Sequence, residues 1–159
     1  MPKPLRCPLC HSAGTQVYID DLREYFQCSN CQLVFVRPDE FLSPNEEKAR
    51  YDLHENDPAD AGYQQFLAQV LTPLLPHLSR GMQGLDFGCG PGPALKHLLE
   101  QRGMHMQVYD PYYANDETVL EHQYDFVTCT EVVEHFYDPA KDWRRLAGLV
   151  KPGGWLAVM

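Results

Sequence analysis

The alternation of apolar and polar positions divides the chain into a short β-rich start and a longer mixed remainder. Residues 15–20 (TQVYID) and 24–28 (EYFQC) alternate with a period of two, and LVFV follows, so the pattern predicts three short strands. Tyr63, Phe66, Leu67, Val70, Leu71, Leu74, Leu75 and Leu78 recur in steps of three and four, which predicts a helix with one apolar stripe. Pro73 and Pro76 bend or end that helix, because proline lacks the N–H that propagation needs. Further on, LDF, MQVYD and YDFVTC read as buried strands, DWRRLAGLV has helical spacing, and KPGGWLAVM turns into another strand. Strands alternating with helices predict an α/β domain around a parallel sheet. The expected division is 1–40 as a small β module, 41–61 as an acidic linker containing Pro44 and Pro58, and 62–159 as the α/β domain.

Residues 85–92 (LDFGCGPG) join the first buried strand to a helix through Gly88, Gly90 and Gly92. Such a loop lets a ligand approach the backbone where a Cβ would block it. The following helix points its first N–H groups at whatever sits above the loop. The dinucleotide fingerprint fails at its third position, which is Pro93, and no Lys-Ser or Lys-Thr completes a P-loop. Pro93 instead suits a first helical turn. The strand MQVYD ends in Asp110, 18 residues after Gly92, where a carboxylate can accept the two hydroxyls of a ribose.

An acid in the strand (Asp86) followed by G-x-G-x-G resembles motif I of the class I S-adenosylmethionine-dependent methyltransferases. YDFV, EVVEH and LVKPGGWL resemble that family's motifs at the fourth and fifth strands, so the resemblance covers roughly residues 62–159. It implies a Rossmann-like sheet, S-adenosylmethionine as cofactor, and SN2 transfer of a methyl group. By the same resemblance Gly88, Cys89, Gly90 and Gly92 pass close to the cofactor, Asp86 orients the loop or the amino group, Asp110 holds the ribose, and Glu131 touches the cofactor edge. Family members often close the segment before the first strand over the cofactor, which makes Tyr51, His54 and Tyr63 pocket candidates. Ordinary linker and packing roles account for those three equally well. From Asp110 to Tyr124 there is hardly room for both the helix and the third strand the family usually has.

The cluster EVVEH carries further chemistry. If it starts a helix, Glu131, Glu134 and His135 stand at i, i+3 and i+4 on one face. Such a set could hold Mg²⁺ or another divalent ion, or place His135 as a general base. The string looks like one in ubiquinone-pathway O-methyltransferases and in small-RNA 2′-O-methyltransferases. A purely structural role for Glu134 and His135 is the plainer alternative.

At the other end, Cys7-x2-Cys10 and Cys28-x2-Cys31 are two pairs separated by 17 residues, the spacing of a zinc ribbon. Few large aliphatic groups surround them, so the module needs a staple to fold, and structural Zn²⁺ would supply it. Four thiolates close the coordination sphere, so this metal is structural. No signal peptide precedes the pairs and the composition looks intracellular, so reduced thiols and a cytoplasmic location are expected. Cys89 and Cys129 read as small semi-buried residues.

Charge narrows the function. The net charge is −9, and residues 39–60 carry two basic and eight acidic groups. No segment offers the basic face that phosphate contacts require, and no run is long enough to span a membrane. A small-molecule acceptor is therefore favoured. An RNA methyltransferase that reads its substrate through the ribbon, as certain ribosomal-RNA guanine methyltransferases do, is the first alternative. A non-catalytic scaffold is the second. A class I sheet has seven strands, whereas the chain stops at Met159 within what should be the fifth, so the natural polypeptide is expected to continue.

Overall fold

The computed structural model describes residues 5–53 and 60–159. The first module is a three-stranded antiparallel sheet of β1 (Gly14–Ile19), β2 (Glu24–Cys28) and β3 (Val34–Val36), in that order. The β1–β2 turn is fixed by Asp20, whose Oδ1 accepts the N–H groups of Leu22 and Arg23 at 2.8 and 2.7 Å. Asp20 Oδ2 accepts the Tyr25 hydroxyl at 2.9 Å. This is the side-chain turn chemistry that aspartate favours.

The stretch expected as linker carries a helix, α1 (Pro44–Tyr51). Its start is a capping box: the Ser43 side chain accepts the Glu46 N–H, and the Glu46 carboxylate accepts the Ser43 N–H at 2.9 Å. Proline at the first helical position and acids in the first turn add to the same end. The acidic composition that suggested a loop is therefore the composition of a helix N-terminus.

Helix α2 (Ala61–Leu74) carries the expected stripe and passes into a single 3₁₀ turn, Leu75–His77. Asp60 caps its start by accepting the Tyr63 N–H at 2.6 Å. The main sheet has four parallel strands: β4 (Gln83–Phe87), β5 (His105–Tyr109), β6 (Tyr124–Cys129) and β7 (Val150–Val158). Their spatial order is β5-β4-β6-β7. Helix α3 (Ala94–Glu100) connects β4 to β5, and α4 (Pro139–Gly148) connects β6 to β7. Between β5 and β6 the chain makes only a 3₁₀ turn, Glu117–Glu121, so no strand occupies the short middle segment.

Two apolar layers sandwich the sheet. Leu67, Val70, Leu71 and Leu74 of α2 and Leu95 and Leu99 of α3 pack on Met106 and Phe126. On the other face Leu85, Phe87, Val127 and Cys129 pack on Leu146 and Leu149. Strand periodicity sends alternate residues of β4 to opposite layers, which leaves Gly84 and Asp86 facing α2 and α3. No described helix is long and apolar enough to cross a membrane.

Gly84 sets how closely the first layer approaches the sheet. A Cβ there would lie 2.3 Å from Phe126 Cζ and 2.5 Å from Met106 Sδ, and Phe126 is fully buried. Gly84→Ala should therefore destabilise the fold by roughly 1–3 kcal/mol through overpacking. Equilibrium urea unfolding checks this as a lowered midpoint with an unchanged slope.

Candidate functional site

A cavity of about 550 Å³ opens at the carboxyl ends of β4, β5 and β6. That volume lies within the range of small-molecule sites, and the position is where open parallel sheets bind ligands. The floor is the loop after β4. Gly88 and Gly90 have φ of +78° and +64°, and a Cβ on Gly88 would lie 2.2 Å from Val132 Cγ2. The N–H groups of Gly88 and Cys89 both donate to Tyr109 O, at 2.7 and 3.2 Å. Gly90 N–H donates to Asp110 Oδ2 at 2.9 Å. Asp110 Oδ1 accepts from Tyr112 and Tyr113 at 2.8 and 3.1 Å. One buried carboxylate thus ties the loop after β4 to the loop after β5.

Asp86 lines the cavity from below and is 2% exposed. Thr128, its register partner on β6, donates its hydroxyl to Asp86 Oδ1 at 2.8 Å. Burial pushes the Asp86 carboxyl up to about 6, the Thr128 bond opposes the rise, and the nearby Asp110 charge adds to it. Burial also pushes the Cys89 and Cys129 thiols up to about 12, which leaves both as protonated, poorly nucleophilic groups.

Of the loop and strand residues singled out in the sequence, Asp86, Gly88, Cys89, Gly90, Asp110 and Glu131 line this cavity. Gly92 does not; its carbonyl accepts the Ala94 N–H at 2.7 Å and so shapes the entry to α3. Tyr51, Tyr63 and His135 also line it, and His54 lies outside the described residues.

The EVVEH segment differs from its expectation. It forms one 3₁₀ turn, Val133–His135, and Glu131 precedes it with φ +54°. A left-handed glutamate cannot share a helical face with Glu134 and His135, so the expected i, i+3, i+4 set does not form. Glu131 is held there because its N–H donates to Met159 O at 2.8 Å, at the end of β7. Among the described residues, these three side chains do not converge as a metal-binding group. His135 Nδ1 instead lies 3.8 Å from Glu47 Oε1, and its Nε2 lies 3.9 Å from Glu134 Oε1.

Glu47 is the cavity-lining position that the sequence pattern missed. It projects from α1 into the cavity, and its Oε2 accepts the Tyr112 hydroxyl at 2.7 Å. Asp52, just past α1, accepts the Tyr113 hydroxyl, and the Tyr51 ring meets His135 edge-on at 5.4 Å. Tyr137 donates to Leu42 O, and its ring meets Phe41 edge-on at 5.6 Å. The helix expected to be a linker is thus a strap across the cavity mouth. The capping box was the signal that could have located the helix, though not its contacts.

The four N-terminal cysteines converge independently of this cavity. Their sulfur atoms all lie within 4.8 Å of one another, with Cys7–Cys31 at 3.6 Å and Cys10–Cys28 at 3.4 Å. Four sulfurs around Zn²⁺ at about 2.3 Å would stand roughly 3.8 Å apart, so the cluster matches a tetrahedral site. Each pair is built alike. Leu9 N–H approaches Cys7 Sγ at 3.4 Å, and Asn30 N–H approaches Cys28 Sγ at 3.3 Å. The residues after each pair, His11 and Gln32, take φ of +62° and +65°.

Comparison with known proteins bears on the α/β domain. A family profile described as a methyltransferase domain matches residues 59–159. The ubiquinone biosynthesis O-methyltransferase of Aeromonas salmonicida is 37% identical over 86 residues, which cover 54% of this chain and 36% of that protein. The protein of the same name from Bordetella pertussis is 59% identical over 128 residues, covering 65% of this chain and 49% of that protein. The chain spans half or less of the length of these two relatives. A methyltransferase structure from Geobacter sulfurreducens, in complex with S-adenosyl-L-homocysteine, aligns with a TM-score of 0.48 at 16% identity, covering 73% of this chain and 55% of that one.

Asp86 makes stability depend on pH. Its folded-state value, about 6, lies above the ordinary 3.8, so the folded chain binds this proton more tightly than the unfolded one. Stability is then lost as pH rises from about 4 through about 6, by an amount on the order of 3 kcal/mol. Asp86→Asn keeps an acceptor for Thr128 and removes the charge. Unfolding measured across pH 4–8 should show the variant gaining stability over the parent as pH rises, with a flatter profile.

Proposed function

The chain belongs to the methyltransferase domain family, and from that premise we propose that it carries out S-adenosylmethionine-dependent methylation of a small-molecule acceptor. The observation that carries the reading is the placement of Gly88, Cys89, Gly90 and Asp110 on one wall of a ligand-sized cavity at the carboxyl ends of adjacent parallel strands. The relatives are named for ubiquinone biosynthesis, a small-molecule pathway, and the net charge of −9 disfavours a polyanionic acceptor.

In this reading the glycine loop and Asp86 would take the amino-acid end of the cofactor, and Asp110 a ribose hydroxyl. Asp110 keeps about one lone-pair site beyond the three N–H bonds it already accepts, so the carboxylate can serve the loop and one ribose hydroxyl together. Glu131 would touch the cofactor edge from the opposite wall. Bound there, S-adenosylmethionine supplies an electrophilic methyl group whose carbon–sulfur bond breaks with the electron pair kept by sulfur. The chain's contribution is alignment, exclusion of water and proton transfer. His135, at the mouth, would take the acceptor's proton on a ring nitrogen, with Glu47 facing Nδ1. The Tyr51, Tyr112 and Tyr137 rings would keep water from the reacting centre.

The cysteine cluster would hold a structural Zn²⁺ through Cys7, Cys10, Cys28 and Cys31. The chemistry and spacing of the four sulfurs suit that ion, and the small sheet buries few large side chains besides Phe26.

Two measurements test the proposal. Thermal unfolding of zinc-loaded protein should shift upward with S-adenosylhomocysteine in a dose-dependent way and not with NAD. Gly88→Ala should reduce that affinity by at least about tenfold, because the backbone at this position is left-handed and faces Val132. The absence of any shift with the parent chain overturns the reading. Separately, chelation of the metal should unfold residues 5–36 while leaving the S-adenosylhomocysteine response of the α/β domain measurable. A ribbon spectrum unchanged by complete zinc removal would overturn the structural-metal assignment.

A further inference from the structure

Five carboxylates line the main cavity, from Glu47, Asp86, Asp110, Glu131 and Asp142, and among the described residues no lysine or arginine joins them. The elements that bound the cavity do carry cations, but these are engaged with other groups. Lys48 of α1 pairs with Asp52 at 2.8 Å, and Lys96 of α3 lies 3.9 Å from Glu100. A second cavity, of about 360 Å³, adjoins the first, and Arg23 and Val36 of the cysteine module line it together with Phe136 and Tyr137 of the sheet domain. Its two arginines, Arg23 and Arg50, lie in the fields of Asp20 and Glu46, and the same cavity adds the carboxylates of Glu40 and Glu134. Neither space therefore brings a spare positive charge to the acids of the first.

Glu47 holds a special place among these acids. It lines both cavities, and its side chain is only 13% exposed. A charge on a dry wall is screened far less than one in water. Its effect reaches hydroxyls from three segments. Burial first, and then the Glu47 charge, push the Tyr51 and Tyr137 hydroxyls up, and burial with the bond to Glu47 does the same to Tyr112. Oε2 is taken by Tyr112, and Oε1 lies 3.8 Å from His135 Nδ1.

We propose that Glu47 makes the cavity selective for a cationic ligand, so that the chain holds S-adenosylmethionine more tightly than S-adenosylhomocysteine. The inference rests on the methyl-transfer reading above. The two molecules share their adenosine, α-amino and α-carboxyl groups, and they differ by one methyl group and the positive charge on sulfur. Interactions with the shared groups cancel in the comparison, which leaves the sulfonium charge against the carboxylates. A cleft lined by one sign of charge, with walls of low dielectric, concentrates its field. The aromatic rings that line it, Tyr51, Tyr112 and Phe136 among them, also suit an onium ion better than a neutral thioether. Once the methyl group has left, the same carboxylates face a neutral ligand, and exchange of product for fresh donor is favoured. Glu47 is thereby a specificity-determining residue supplied by α1, outside the sheet and the glycine loop.

The test is calorimetric titration of the zinc-loaded chain at low ionic strength and about pH 8, where the Asp86 carboxyl is ionised. The ligands are S-adenosylmethionine, S-adenosylhomocysteine and sinefungin, in which an ammonium group replaces the sulfonium. Both cations should bind at least about tenfold more tightly than S-adenosylhomocysteine. Glu47→Gln keeps the size and an acceptor for Tyr112 but removes the charge. It should weaken both cations by at least about threefold and leave S-adenosylhomocysteine within about twofold of the parent. Tyr112→Phe removes the same hydrogen bond without altering charge and should leave the preference intact. S-adenosylhomocysteine binding as tightly as the cations, a preference untouched by Glu47→Gln, or one lost equally in Tyr112→Phe would overturn the assignment. Failure of all three ligands to bind the parent would instead overturn the methyl-transfer reading beneath it, so the two failures are separable.

Discussion

Three backbone N–H groups converge on the carboxylate of Asp110, and the main cavity depends on that convergence. One oxygen accepts from Gly90 in the loop after β4, and the other accepts from Tyr112 and Tyr113 in the loop after β5. The two loops leave adjacent strands of a parallel sheet, whose carboxyl ends would otherwise be free to splay. Bonds to a charged acceptor are roughly twice as strong as neutral ones, so three of them fix the separation of the loops against thermal motion. The left-handed backbone of Gly88 and Gly90 is what lets the first loop bend far enough to reach the carboxylate. The remaining edge is fixed differently. The left-handed Glu131 is tied to the end of β7, so the third wall registers on the sheet as well.

Carboxylates dominate this region, and their separate environments assign them separate work. Asp86 lies beneath the loop, holds Thr128, and has its proton affinity raised by burial. Asp110 is wrapped in N–H donors. Glu47 is engaged by a tyrosine hydroxyl on a helix from outside the sheet. The strap formed by α1 therefore contacts the α/β domain through tyrosine–carboxylate bonds at Glu47 and Asp52, not through an apolar stripe. That explains how an eight-residue helix with no buried residue can still define a cavity wall.

Much of this was legible in the sequence. The α2 stripe, the parallel strands, the glycine loop and the paired cysteines each follow from local rules of period, φ preference and ligand spacing, and each occurs where expected. The α1 strap was misread because acids and prolines signal a linker by composition but a helix start by position, and Ser43 with Glu46 decides between them. EVVEH was misread for a different reason. Its spacing fits a helix, but the tie from Glu131 to β7 is long-range and overrides local propensity. Glu47, Tyr112 and Tyr137 were invisible as a group because they come from three segments joined only by tertiary structure.

The same separation bears on how the two halves cooperate. Residues of the cysteine module and of the sheet domain line the second cavity together, whereas the glycine loop is held by Asp110 and the sheet alone. On the proposed reading, the cofactor site is stapled by a carboxylate and the cysteine module by a structural metal. Each staple can fail without the other, because no hydrogen bond of Asp110 involves the ribbon. A small sheet that could not bury a core of its own therefore gains its place in the fold by supplying a wall.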